Sequence, residues 1–201
     1  MKRAAKVISY LFHPLLMPTL GLLLILNSGT YLALLDPAAK RAILFVMALG
    51  TSFFPLMIIP VLHYRNLISG TGYGNREERF IPQLIILILY VITFIYFVRL
   101  PLSRMIHAYA LSIPVLLFIL MIISLKFKIC MHTAGLGGVT GLVLGLIILY
   151  ETPLLGMLVI SLVAAGLTGS ARLLEGSNRP GEIYSGYLVG LGVVLTTLLV
   201  Y

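Results

Sequence analysis

This chain is short of the residues that keep a domain in water. Charged side chains make up 10% of it, carboxylates number six, cysteine occurs once and tryptophan not at all. Soluble domains carry roughly a quarter charged residues. A chain with 10% charged and 60% hydrophobic residues cannot cover itself with an aqueous surface. The lone Cys130 excludes an intramolecular disulfide and leaves no thiolate cluster for a metal, so neither metal nor cofactor is expected. Against six carboxylates stand fourteen lysines and arginines, a formal charge of +8. Such an excess suits nucleic acid or an anionic lipid surface. With a mean hydropathy of +1.10 the chain has no broad soluble face for a duplex, which leaves the bilayer as the expected partner and excludes nucleic acid.

What is present is a series of apolar runs near the ~20 residues that cross a hydrocarbon core. Seven candidates run from about Val7 to Leu26, Ala42 to Leu62, Gln83 to Val98, Ile106 to Leu125, His132 to Tyr150, Leu154 to Thr168 and Glu182 to Tyr201. The first contains His13, Pro14 and Pro18, which should kink it or split it into an interfacial piece and a span. No small-residue cleavage pattern follows it, so it reads as retained rather than as a signal peptide. The closely spaced glycines of GLGGVTGLVLGLIILY suit close backbone packing between helices. No domain boundary or internal repeat is visible. The expectation is a single all-α transmembrane domain over residues 1–201, a polytopic bundle of about six to seven spans.

Alternation of sides then sorts the charges. With seven spans the chain start and the 63–82, 126–135 and 169–182 segments share one membrane face. That face receives Lys2, Arg3, Lys6, Arg65, Arg76, Arg79, Lys126, Lys128, Arg172 and Arg179, leaving Lys40, Arg41, Arg99 and Arg104 opposite. One reading is the positive-inside rule, with the rich face in the cytoplasm. The other is a phosphate site, because the guanidinium fork matches phosphate oxygens and several loops converge there. His132 sits at the mouth of a span on the same side, where an imidazole can exchange protons near neutral pH. His13, His63 and His107 read as ordinary solvated histidines.

Three segments, NREERFIP, KICMHTAG and SARLLEGSNRPGEIYSGYLVG, together resemble the motifs of the type-2 phosphatidic acid phosphatase superfamily, the integral-membrane lipid phosphatases related to vanadium haloperoxidases. The resemblance covers residues 76 to 190 and implies that family's helical fold. It also implies roles. Arg79 is similar to the first motif's arginine with Arg76 as second donor, although Pro82 stands three residues on instead of one. Lys128 belongs to the phosphate-binding set. His132 takes the place of the histidine that protonates the leaving oxygen, and Cys130 that of a phosphate-binding serine. Arg172 matches the third motif's phosphate arginine. Six residues later, where the family has its nucleophilic histidine, this chain has Asn178, and four further comes Glu182 in place of the orienting aspartate.

The asparagine changes the chemistry the resemblance implies. Its amide lone pair is delocalised into the carbonyl and cannot attack phosphorus. Asn178 can hold a phosphate oxygen or position a water with Glu182 as base. Glu182 can equally pair with Arg172 or Arg179, or stabilise a helix N-terminus. Three functions follow: a phosphatase for a lipid phosphate or isoprenoid diphosphate, a binding or scaffold protein that keeps the anion pocket without turnover, and, least supported, a small lipid transporter. The resemblance implies a bacterial inner-membrane location with a phosphorylated lipid as ligand. Charge bias favours a cytoplasmic site, whereas bacterial relatives in that family commonly face the periplasm.

Overall fold

The computed structural model describes residues 2–64 and 76–201 of the chain. They form α1 (Lys2–Leu11), α2 (Met17–Leu26), a 3-10 turn (Tyr31–Leu34), α3 (Pro37–Ala48), a π-turn (Leu49–Phe53), α4 (Phe54–Tyr64), α5 (Arg76–Val98), α6 (Arg104–Ser124), α7 (Met131–Tyr150), α8 (Leu155–Leu174) and α9 (Pro180–Val200). Among the described residues six helical stretches are long and apolar enough to cross a membrane: Pro37–Leu62, Phe80–Val98, Arg104–Ser124, Met131–Tyr150, Leu155–Leu174 and Pro180–Val200. At about 1.5 Å per residue each covers roughly the hydrocarbon thickness. The described residues are all-helical, and these stretches mark the chain as an integral membrane protein.

The first apolar run is not a single span. α1 ends at Leu11 and α2 starts at Met17, with Pro14 in the break and Pro18 at the start of α2. Pro14 has no N–H to continue the ladder, and the backbone there turns instead: Leu16 N–H bonds to the His13 carbonyl at 2.9 Å. Ten residues of α2 cover only about 15 Å. Even so, α2 and its flanking turns accompany α7 from end to end. His13 meets His132 with ring centroids 5.6 Å apart, and Tyr31 meets Tyr150 at 5.8 Å. α1 is different in character, with Ala5 and Ser9 buried while Arg3, Lys6, Val7 and Tyr10 are exposed. It lies along α8 with its small buried residues inward.

Asp36 starts the second span by accepting from the Ala38 and Ala39 N–H groups, with Pro37 at the first helical position. The span passes Pro55 and Pro60 as one helical path that contains the π-turn. That turn faces inward and its polar groups are used. Ser52 Oγ donates to the Leu15 carbonyl at 2.8 Å, and the Tyr90 hydroxyl donates to the Thr51 carbonyl at 3.3 Å. The break before α2 is thereby tied to the middle of α3–α4.

The closest packing in the bundle joins α7 to α9. A Cβ built on Gly190 would stand 1.9 Å from the Ala134 carbonyl oxygen, and one on Gly137 would stand 2.1 Å from that of Tyr187. Glycine alone lets these backbones meet, which supplies dispersion contact where lipid offers no hydrophobic drive. Thr133 Oγ1 donates to the Ile183 carbonyl at 2.9 Å, and Cys130 N–H donates to the Glu182 carbonyl at 3.0 Å. The seam therefore fixes the start of α7 against the start of α9.

α8 runs past the expected Thr168 to Leu174, so Arg172 stands in the last turn of a helix rather than in a loop, where its positive charge suits the helix C-terminus. The connection to α9 shrinks to five residues, 175–179, with Gly176 in the left-handed region at φ 66°. α9 begins at Pro180, which places Glu182 in its first turn.

Candidate functional site

The α8–α9 connection folds back on Arg172. Its Nη1 donates to Glu175 Oε2 at 2.9 Å, one helical turn on, and its Nε donates to Asn178 Oδ1 at 3.2 Å. Asn178 continues the chain of bonds by donating from Nδ2 to Glu182 Oε2 at 2.8 Å. On the far side of Glu175, Ser9 Oγ of α1 donates to Oε1 at 3.2 Å. The two glutamates thus act at opposite ends of one network: Glu175 neutralises the guanidinium and Glu182 orients the amide that holds it.

Lys128 closes the network from the turn before α7. Its Nζ donates to the Ser177 carbonyl at 2.6 Å and lies 3.8 Å from Glu182 Oε2. Glu182 pairs with Lys128 and Asn178, and among the described residues it does not pair with Arg172 or Arg179 as its sequence position had allowed. Arg179 is exposed, at the N-cap of α9.

This network borders a cavity of about 900 Å³. At its polar end stand Lys6, His13, Lys128, His132, Arg172 and Asn178. The rest of the wall is mostly apolar and comes mainly from α5, α6 and α7, including Ile86, Ile113, Leu116, Leu120 and Val139, with Met17 and Pro18 of α2 and the polar Gln83, Ser112 and Ser124 among them. Two tyrosines flank this corridor with hydroxyls already engaged, Tyr90 on the Thr51 carbonyl and Tyr109 on the Pro18 carbonyl at 3.0 Å. Their rings therefore act as apolar wall. Polar groups concentrate at one end of a long hydrophobic space.

Of the residues singled out in the sequence, the structure brings Lys128, Cys130, His132, Arg172 and Asn178 to this cavity. Cys130 is buried at the N-cap of α7, with its carbonyl accepting from Thr133 Oγ1 at 3.1 Å. Glu182 is not among the lining residues and reaches the cavity through Asn178 and Lys128, which fits positioning rather than direct contact with a ligand. The side chains of Arg76 and Arg79 lie outside the described residues. Pro82 and Gln83, on the next turns of α5, line the cavity, and Gln83 Oε1 accepts from Ser124 Oγ at 3.1 Å.

His13 is the residue that sequence reading missed. It is not a solvated histidine: it lines the cavity and faces His132 edge to face, with ring planes at 78°. Burial first, and the positive charge of Arg172 second, lower its pKa below the ordinary 6.5, so the ring is neutral near pH 7. A histidine before a proline in the middle of an otherwise apolar run was the available signal. His107 is also engaged, its Nε2 lying 3.0 Å from the Phe97 carbonyl oxygen, and the His63 side chain lies outside the described residues. Ser9 was likewise missed, whereas Glu175 stands at the helical i+3 spacing from Arg172, where a carboxylate can neutralise it.

Among the described residues no group of three or more His, Cys, Asp or Glu is gathered closely enough to hold a metal ion. Comparison with known proteins gives no match to a family model, a curated protein or a solved structure.

Proposed function

We propose that this chain is a bacterial inner-membrane protein, similar in kind to the type-2 phosphatidic acid phosphatases, that takes up a phosphorylated lipid. The phosphate lies against Arg172 and Lys128, and the acyl or prenyl chain follows the corridor between α2, α5, α6 and α7. One observation carries this reading: a single cavity of about 900 Å³ is continuous from Arg172 and Lys128 to a wall of isoleucine, leucine and valine. A free anion has no use for such a corridor, and a neutral lipid has none for the basic end.

Uptake of the ligand competes with an existing ion pair. Arg172 is held by Glu175, so an arriving phosphate must displace that carboxylate or share the guanidinium with it. Asn178 holds Arg172 from the other side and has no lone pair for attack on phosphorus, which supports binding without a phosphoenzyme. Phosphate release by water attack is the second reading, favoured by His132 standing in the same cavity wall as Arg172.

The test uses the purified protein in phosphatidylcholine nanodiscs, with phosphatidic acid and diacylglycerol compared as ligands. Preferential retention of phosphatidic acid is expected, with that preference reduced roughly ten- to a hundredfold in Arg172→Ala and strengthened in Glu175→Gln. Equal retention of both lipids by the wild type overturns the reading. Inorganic phosphate released from phosphatidic acid, phosphatidylglycerophosphate or undecaprenyl diphosphate in the same preparation separates turnover from binding.

A further inference from the structure

We propose that His13 is a direct ligand of the phosphoryl group, donating its Nε2–H to a phosphoryl oxygen at the polar end of the cavity. The inference rests on the phosphorylated-lipid reading and adds to it a residue from the N-terminal segment, far in sequence from Arg172.

The tautomer follows from one hydrogen bond. Leu15 N–H donates to His13 Nδ1 at 3.3 Å. A backbone N–H can only donate, so Nδ1 carries its lone pair and the proton of the neutral ring sits on Nε2. The neutral form is the one that this environment favours, because burial and the nearby guanidinium both oppose a second proton. Among the described residues no acceptor takes the Nε2 proton. The ring is held in place by the turn that carries it: Leu16 N–H bonds to the His13 carbonyl at 2.9 Å, and Ser52 Oγ secures the Leu15 carbonyl at 2.8 Å.

A count of donors against acceptors then names the ligand chemistry. Lys6, Lys128, Arg172 and His13 bring donors to this end of the cavity, and among the described residues the one carboxylate lining it, Glu175, is already shared by Arg172 and Ser9, while Glu182, outside the lining, pairs with Lys128. What is missing is an acceptor with several oxygens. A phosphoryl group supplies them, and a neutral imidazole can donate to it as an uncharged electrophile beside the charged guanidinium. His132 stands beside His13 in the same wall, with the two ring centroids 5.6 Å apart.

Two substitutions separate this role from a packing role. His13→Gln keeps an N–H donor near the Nε2 position, whereas His13→Leu keeps bulk and removes the donor. In nanodiscs carrying phosphatidic acid or diacylglycerol, His13→Leu is expected to lose about tenfold of the preference for phosphatidic acid, and His13→Gln to stay within about threefold of wild type. An unchanged preference in His13→Leu, or equal losses in both variants, overturns the assignment while leaving the phosphorylated-lipid reading intact. A wild type that does not prefer phosphatidic acid overturns both. Nitrogen NMR of histidine-labelled wild type gives an answer that needs no variant. His13 must show the Nε2–H tautomer, and its Nε2 resonance must move on addition of phosphatidic acid and not of diacylglycerol. A shift produced by inorganic phosphate alone supports the phosphoryl assignment with free phosphate as a sufficient source. The Nδ1–H tautomer, or a resonance that phosphatidic acid leaves unmoved, overturns it.

Discussion

Asn178 accepts a hydrogen bond from Arg172 Nε at 3.2 Å while donating to Glu182 at 2.8 Å, so the amide couples the end of α8 to the start of α9 through a single side chain. Its two polar ends face partners of opposite character, a guanidinium that can only donate and a carboxylate that can only accept. That arrangement orients the amide unambiguously. It also explains why the residue holds Arg172 in place and cannot itself act as a nucleophile.

An imidazole at this position would meet the same two neighbours on different terms. In Asn178→His one ring N–H can donate to Glu182, leaving the other nitrogen with its lone pair in the cavity wall beside Arg172. Phosphate release from phosphatidic acid is expected to rise at least about tenfold over wild type, and the gain should disappear in the Asn178→His, His132→Ala double variant. A folded Asn178→His protein that binds phosphatidic acid and releases no more phosphate than wild type would show that the site lacks more than a nucleophile.

Two neighbouring glycines of α9 give a matched pair for the α7–α9 seam. In Gly190→Ala the added Cβ would stand 1.9 Å from a backbone oxygen of α7, and because both partners are main chain the helices must separate. A loss of about 3 kcal/mol or more is expected. Around Gly192 nothing lies within 4 Å of such a Cβ. Gly192→Ala should therefore leave stability unchanged or raise it by up to about 1 kcal/mol through helix propensity. Thermal unfolding of both variants in one detergent decides the matter, and similar unfolding temperatures would contradict the packing described here.

The protonation of His13 makes stability depend on pH in a definite direction. Its pKa is lowered in the folded protein, by burial first and Arg172 second, so the unfolded chain binds the proton more readily. The stability gained from the neutral ring is fully present above the unfolded pKa of about 6.5. It is lost as pH falls below that value toward the folded pKa. The charged and titratable groups that line the same cavity include Lys6 and Tyr10 from α1, Lys128 from the turn before α7, His132 from α7, Arg172 from α8 and Glu175 just after it; of these His132 and Arg172 stand nearest the ring. Unfolding temperatures measured between about pH 7.5 and pH 5 should fall more steeply for wild type than for His13→Gln. Parallel curves would show that His13 titrates as freely in the folded state as in the unfolded one.

Helical class, the number of long apolar stretches and most of their limits were legible in the amino-acid order, because each depends on local hydropathy, proline and glycine. The 37–62, 104–124 and 131–150 stretches each lie within a few residues of the expected limits. The first run was legible only in part: His13-Pro14 announced a break, but the break alone does not say that α1 lies along α8 while α2 accompanies α7. Helix ends near the site shifted for a similar reason. Arg172 was assigned to a loop by the end of the apolar run, whereas α8 continues to Leu174 and stops at the left-handed turn of Gly176.

By itself the sequence determined that this protein lives among apolar helices with its scarce charges gathered between them. It also placed Arg172, Asn178 and Glu182 at spacings of six and four residues, which the start of α9 and the tight turn before it convert into adjacent hydrogen bonds. Only the tertiary structure decided that His13, 119 residues before His132, meets it edge to face in the cavity wall. It likewise decided that Ser9 of α1 holds the counter-ion of Arg172, and that the polar end opens into an apolar corridor. The physical reason is the same in each case. Spacing along one helix or turn is set by backbone geometry within a few residues, whereas the meeting of α1 and α2 with α7 and α8 depends on side-chain packing between helices, and no local pattern encodes which faces will touch.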